Sequence, residues 1–167
     1  MSTKGGKCKG HMFHGDPTRF EVVADFIFVT FGREIKYIAD VAGGKGMLSR
    51  ILAKKYNYEP TVIDPRGYPL LGVSNLESEY LSSSASYYDL VVGLHPDQAT
   101  KEIAFSAVTT NTILIPCCNF WDKTKKLGRD ALISEIERYY DDHRLKYSKV
   151  IFDFEGPKNI GLITYIH

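Results

Sequence analysis

Apolar residues recur along this chain in two alternating rhythms: short runs of four or five, and longer stretches in which they return every third or fourth position. The first rhythm is that of a strand buried on both faces, the second that of a helix with one face inward. The short runs are Tyr37 to Val41, Pro60 to Ile63, Leu90 to Leu94 and Thr112 to Ile115. Helical spacing joins Phe20, Val23, Ile27, Phe28 and Phe31, then Leu48, Ile51 and Leu52, then Ala99, Ile103, Ala107 and Val108. A last helix is predicted over 131–140, with Leu132, Ile133 and Ile136 inward. Asp16-Pro17 reads as an N-cap followed by proline in the first turn, and Gly32 closes that first helix. Between Pro65 and Tyr88 glycine, serine and proline blur the pattern, and only a short helical or strand piece near 70–75 can be placed.

The chain closes on two further runs, Tyr147 to Phe154 and Gly161 to Ile166, separated by Gly156-Pro157. So short a link forces antiparallel pairing. Strands alternating with helices and ending in a hairpin predict an α/β fold: a mostly parallel, doubly wound sheet with an antiparallel hairpin at its edge.

A length of 167 residues at 44% hydrophobic composition supports one core, so one domain is expected over 16–167, after a polar and loose segment over 1–15. No run of about 18 apolar residues is present and the start lacks a signal peptide's apolar stretch, so a soluble, cytoplasmic protein with no membrane partner is expected. Three cysteines, two of them adjacent, cannot make a disulfide framework. Twenty-one basic against 20 acidic residues leave a net charge of +1 and no global pull on nucleic acid. Two local clusters qualify this: Lys4, Lys7 and Lys9, and Lys123, Lys125 and Lys126 with Arg129. Cys8, His11 and His14 supply three possible zinc ligands without a fourth, and no metal site is predicted.

Chemistry concentrates where the predicted strands end. Residues 37 to 46 form a strand that carries Asp40 and runs through Ala42, Gly43, Gly44 and Gly46 into a helix. In an open parallel sheet that junction is a nucleotide cradle, because glycine lets the backbone approach a ligand without a Cβ in the way. The dinucleotide spacing is not met, since the third glycine position is Ser49. Asp64-Pro65 ends the second strand, 18 positions after Gly46, where an acid can accept both hydroxyls of a ribose. Gly93, Leu94, His95, Asp97 and Lys101 follow the fourth strand; His95 or Asp97 can take a proton, and Lys101 can meet a phosphate or pair with Asp97. Pro116, Cys117, Cys118 and Asn119 follow the next strand, and adjacent strand residues face opposite ways, so at most one thiol looks into the site. Each of these groups also has a purely structural alternative, as a tight turn, a cap or a buried small side chain.

The spacing of Asp40, Ala42, Gly44 and Gly46 resembles motif I of the class I S-adenosylmethionine (SAM) methyltransferases. Three blocks together, Ala42 to Gly46 with Val62 to Arg66, Gly93 to Thr100, and Ile115 to Phe120, resemble the eukaryotic tRNA(Ser) uridine ribose 2′-O-methyltransferases. That family reads Gly-Asn-His-Ser-Asp-Glu-Leu-Thr after strand four and Ile-Pro-Cys-Cys after strand five. The resemblance implies a Rossmann-like methyltransferase fold, SAM as methyl donor, and tRNA or another structured RNA as acceptor. Carried over residue by residue, it places the cofactor at Asp40, Gly44, Gly46 and Asp64, and the acceptor at His95, Asp97, Pro116 and Cys117. Position in the predicted fold adds Ala42, Gly43, Pro65, Gly93 and Leu94 as cofactor candidates, Glu77 or Glu79 for the adenine side, and Lys101, Asn119 and Lys123 for the acceptor. Departures are Leu94 and Pro96 in place of polar residues, and Ala42 in place of the first glycine. The alternatives are a small-molecule or protein acceptor, an NAD-dependent oxidoreductase, and a catalytically idle nucleotide-binding module.

Overall fold

The computed structural model describes residues 16–166. Along them run α1 (Arg19–Phe31), β1 (Tyr37–Val41), α2 (Met47–Tyr56), β2 (Glu59–Ile63), β3 (Asn75–Leu76), β4 (Leu90–Leu94), α3 (Thr100–Ser106), β5 (Asn111–Ile115), α4 (Arg129–Asp142), β6 (Lys146–Ile151) and β7 (Ile160–Tyr165). Single 3-10 turns lie at Ser82–Tyr87 and Asp97–Ala99. Cys8, His11, His14 and the first lysine cluster lie outside the described residues.

The strands form one sheet in the order β3-β2-β1-β4-β5-β7-β6. Pairing is parallel from β3 through β5, and β7 runs antiparallel to both β5 and β6. From β1 the chain moves outward to β2 and β3 on one side, then returns to lay β4 and β5 on the other. That reversal opens a crevice at the carboxyl ends of β1 and β4, the place where ligands bind in such sheets. The expected hairpin is present, but its second strand is not at the edge. Gly161 to Thr164 of β7 are buried, whereas β6 carries exposed Lys146, Lys149 and Ile151, so β7 goes inside and β6 takes the rim.

Alternation along the strands builds two cores. Ile38, Leu90, Val92, Ile113, Ile115 and Ile163 meet α1 and α2 through Val23, Ile27, Leu48 and Leu52. Ala39, Val41, Val91, Leu114 and Leu162 meet α3 and α4 through Ile103, Leu132, Ile133 and Ile136. Each such buried aliphatic side chain contributes about 1.5–3 kcal/mol of transfer free energy.

Some expected boundaries move. α1 begins at Arg19, after a turn through Pro17 and Thr18, and Asp16 accepts from the Thr18 amide (2.9 Å), as an N-cap side chain does, and from the Glu155 amide (2.9 Å). α3 ends at Ser106, so Val108 lies beyond it and is exposed rather than inward. Among the described residues no helix is long and apolar enough to cross a membrane.

Candidate functional site

Between β1 and α2 the backbone makes a tight turn in which Ala42, Gly44 and Gly46 all have left-handed φ values of 53°, 59° and 83°. The Gly46 amide donates to the Gly43 carbonyl (2.9 Å) and the Ala42 amide to Ile63 (2.8 Å), which ties the turn to the end of β2. Gly43 is needed for a different reason, since a Cβ there would sit 2.6 Å from the Asp40 carboxylate. At Gly46 a Cβ would collide with Val73 and Val62. Ala42 adopts without glycine's freedom a backbone that costs an L-residue about 1–2 kcal/mol.

Asp40 lies beneath this turn, 2% exposed, and Ser49 Oγ of α2 donates to its Oδ2 (2.7 Å). Burial raises its pKa to about 6, the Ser49 bonds pull it down, and the charge of Asp64 adds to the rise. Its carboxylate is covered by Gly43 and Ser49, so what it holds directly is the turn and the start of α2.

Asp64 follows β2 and points at the same turn, 4% exposed. Its Oδ2 accepts from the Gly44 amide (2.9 Å) and Arg66 Nη2 (2.7 Å), and its Oδ1 from the Arg66 amide (2.9 Å) and Arg66 Nε (3.0 Å). Burial pushes this carboxyl up, but the Arg66 side-chain bonds, the two amides and the guanidinium charge outweigh it and hold the pKa below the ordinary range. The guanidinium lies over the turn, with Nη2 3.6 Å from where a Cβ on Gly44 would be.

A cavity of about 510 Å³ opens here at the ends of β1, β2 and β4, within the range that holds small ligands. Val41, Ile63, Leu81, Pro96 and Ala99 give it apolar walls; Asp64, Arg66, Glu79, Asp97 and Glu102 give it charge. Ala42 and Pro65 line it as well. Of the two acids considered for the adenine side, Glu79 lines the cavity; Glu77 does not, because its carboxylate packs on Gly67, 2.3 Å from where a Cβ there would be.

After β4 the expected group divides. Gly93 allows α3 and Pro96 to close on the strand, since its Cβ would lie 2.2 Å from Ile103 Cδ1. Leu94 packs against the core on the α1–α2 side. His95 and Asp97 both have left-handed φ, 54° and 49°, a strained pair of the kind found at functional loops. His95 Nε2 lies 2.7 Å from the Lys158 carbonyl, which can only accept, so that nitrogen carries the proton; the ring meets Phe154 edge-on. Burial lowers the His95 pKa, helped by the charges of Arg19 and Lys158 and opposed by the bond to the Lys158 carbonyl. Asp97 instead lines the cavity, where Cys117 Sγ donates to its Oδ1 (2.8 Å). The Cys117 thiol is pushed up to about 12, first by burial and then by Asp97, so it stays a proton donor at neutral pH.

Lys101 does not pair with Asp97; its Nζ sits 5.8 Å from the Trp121 ring centroid. Pro116 is buried, Cys118 is exposed with Lys158 Nζ 3.4 Å from its sulfur, and Lys123 is exposed on the loop beyond. Asn119 spends its amide on that loop, donating to the Asp122 and Lys125 carbonyls and accepting from the Trp121 and Asp122 amides. Sequence reasoning missed Arg66, Tyr80, Leu81 and Glu102. Only Arg66 carried a signal, a cation two residues beyond an acid in an Asp-Pro turn.

No protein-family model matches the chain, and no curated protein matches its sequence. Solved structures do resemble it. The sugar N-methyltransferase KedS8 from a Streptoalloteichus species aligns at TM-score 0.58 and 10% identity, covering 100% of this chain and 93% of that one. The 1,6-didemethyltoxoflavin-N1-methyltransferase of Burkholderia thailandensis, solved with S-adenosylhomocysteine, aligns at 0.54 and 12%, covering 87% and 76%. A chain of the Pnkp1/Rnl/Hen1 RNA repair complex aligns at 0.55 and 13%, covering 86% and 40%. At such identities the likeness is one of architecture: the chain has the Rossmann-like α/β fold of the SAM-dependent methyltransferases it aligns with.

Proposed function

We propose that the protein is a SAM-dependent methyltransferase whose cofactor lies in the cavity over the glycine turn. The observation that carries this reading is the convergence of Gly44, Asp64 and the cavity at the switch point of a sheet with a reversed β7. The residues present fit the cofactor. Gly44 keeps a Cβ out of the turn beneath the Arg66 guanidinium, Asp64 suits a ribose, Glu79 with Tyr80 and Leu81 lines the part of the cavity suited to adenine, and the volume is adequate. When bound, SAM supplies a methyl group on a sulfonium; its S–C bond breaks as the acceptor's bond to that carbon forms, leaving S-adenosylhomocysteine.

The protein's own part is alignment and proton removal. Asp97 is the better placed base of the expected pair, because it lines the cavity while His95 is turned to Lys158. Cys117 holds the Asp97 carboxylate from the next loop.

For the acceptor we favour a ribose hydroxyl of tRNA or another structured RNA. Its support is the resemblance of the three sequence blocks, the neighbour found in an RNA repair complex, and the loop where Lys101 sits over Trp121 beside exposed Lys123 and Lys126. A small-molecule acceptor is the second reading, favoured by the sugar N-methyltransferase that matches the whole chain. Titration calorimetry with SAM and with NAD, followed by transfer from labelled SAM into total tRNA and into a metabolite extract, tests both levels. SAM binding with label in tRNA is the expected result. Label in the metabolites alone would move the acceptor to the second reading, and NAD binding without SAM binding would overturn the methyltransferase.

A further inference from the structure

A carboxylate has about four lone-pair positions, and at Asp64 four N–H groups fill them, with Arg66 Nε shared between Oδ1 (3.0 Å) and Oδ2 (3.2 Å). Two are taken by the Gly44 and Arg66 amides, which are fixed in the backbone. The other two are taken by Nε and Nη2 of one side chain, Arg66, which is 53% exposed and so free to move. A vicinal diol also brings two donors. The exchange is therefore one for one, two O–H groups for two N–H groups, with no lone pair lost or left over. The released guanidinium stays in the field of Asp97, whose charge already acts on it and which lines the same cavity.

We propose that Arg66 is a displaceable latch on the cofactor acid, occupying on Asp64 the two positions that a ribose diol takes and thereby setting cofactor affinity. This rests on the methyltransferase reading above. It makes Arg66 an affinity-setting residue that competes with the ligand instead of holding it, and it predicts that removing a well-bonded side chain from the site improves binding.

The probes are S-adenosylhomocysteine, which lacks the sulfonium charge, and adenosine, which carries the same diol and no charge, so that repulsion of a ligand cation by Arg66 cannot mimic the effect. Their affinities for wild type, Arg66→Met and Arg66→Lys are measured by titration calorimetry, with thermal unfolding as a check that each variant is folded. We expect Arg66→Met to bind about two- to fivefold tighter, the size of a half-exposed ion pair that no longer has to be broken. Arg66→Lys, which keeps the charge but loses the fork, falls between. A pH series separates this from a structural role: without Arg66 the Asp64 carboxyl titrates higher, so binding to Arg66→Met fades at a higher pH than in wild type. Binding to wild type with equal or weaker binding to a folded Arg66→Met overturns the latch and leaves the methyltransferase standing. No binding of S-adenosylhomocysteine or SAM to either protein overturns both.

Discussion

At the scale of single residues the site is a contrast between two acids one strand apart. Asp40 and Asp64 flank the same glycine turn, yet burial dominates at the first, while Arg66 and two amides dominate at the second. Their stability contributions therefore run in opposite directions with pH. Asp64, with its pKa lowered, stabilises the fold above its unfolded pKa and loses that contribution as pH falls through the folded value. Asp40 has a folded pKa of about 6 against an ordinary 3.8, so the native state holds its proton through the interval between. Its favourable contribution is complete below the unfolded pKa and is lost as pH rises through about 6. A shift of this size corresponds to a cost on the order of 2–3 kcal/mol for keeping a buried charge at neutral pH. Asp40→Asn keeps an acceptor for the Ser49 hydroxyl and carries no charge. Chemical denaturation at a series of pH values should show the variant level with wild type near pH 4, gaining through pH 4 to 6, and more stable by up to that amount above. A constant difference across the series would mean that Asp40 titrates normally.

At the scale of elements, close approach by glycine sets the distance between layers. Gly93 sits in β4 under α3, and a Cβ there would lie 2.2 Å from Ile103 Cδ1 and 2.9 Å from Pro96 Cγ. Gly93→Ala should cost about 1–3 kcal/mol as the helix and the loop bearing Asp97 are pushed off the strand. Ile103→Val in the same chain should return part of that loss, because it removes the methyl group that clashes; unfolding measurements on the two single variants and the double give the coupling. Simple additivity would show that strain, not this contact, sets the cost. The same elements show what the chain makes legible. β1 and β4 end where the sequence predicts, because each is an apolar run cut off by a turn signal. β3 has only two residues, both exposed, so no periodicity marks it. α4 extends past the expected ends at both sides because Arg129, Asp130, Asp141 and Asp142 form polar helical turns without an apolar signal. In the site, the meeting of Asp40, Asp64 and the glycines at one turn is legible because it follows from position on a strand end, whereas the covering of the Asp40 carboxylate by Gly43 and Ser49 is not. The pairing of Asp97 with Cys117, the turning away of His95 and the packing of Glu77 on Gly67 are not legible either, since each depends on strand order or on a side-chain direction that spacing leaves open.

At the scale of the whole molecule, a net charge of +1 gives no long-range field, so any attraction for RNA has to be local. The loop after β5, whose Phe120 lines the cavity, brings cations and an aromatic group together at its edge. Lys125 there is within 3.8 Å of both Asp122 and Glu135, and Arg129 is paired with Asp130. Exposed Lys123 and Lys126, with Lys101 over Trp121, are the cations an RNA acceptor would meet on the proposed reading. Single-stranded RNA held by two or three such contacts has an affinity that falls with salt at a slope of about −0.7 per contact. From 50 to 200 mM salt, about three such contacts give a roughly tenfold to twentyfold loss. Lys123→Ala combined with Lys126→Ala should reduce the slope by about 1.4 while leaving S-adenosylhomocysteine affinity unchanged, because neither residue lines the cavity. Methyl transfer into tRNA followed across a salt series in wild type and in this double variant reads both quantities. A wild-type rate insensitive to salt would show that these lysines do not hold the RNA, and no transfer into tRNA at any salt, with cofactor affinity intact, would remove RNA as the acceptor and leave a small molecule that reaches Asp97 through the cavity alone.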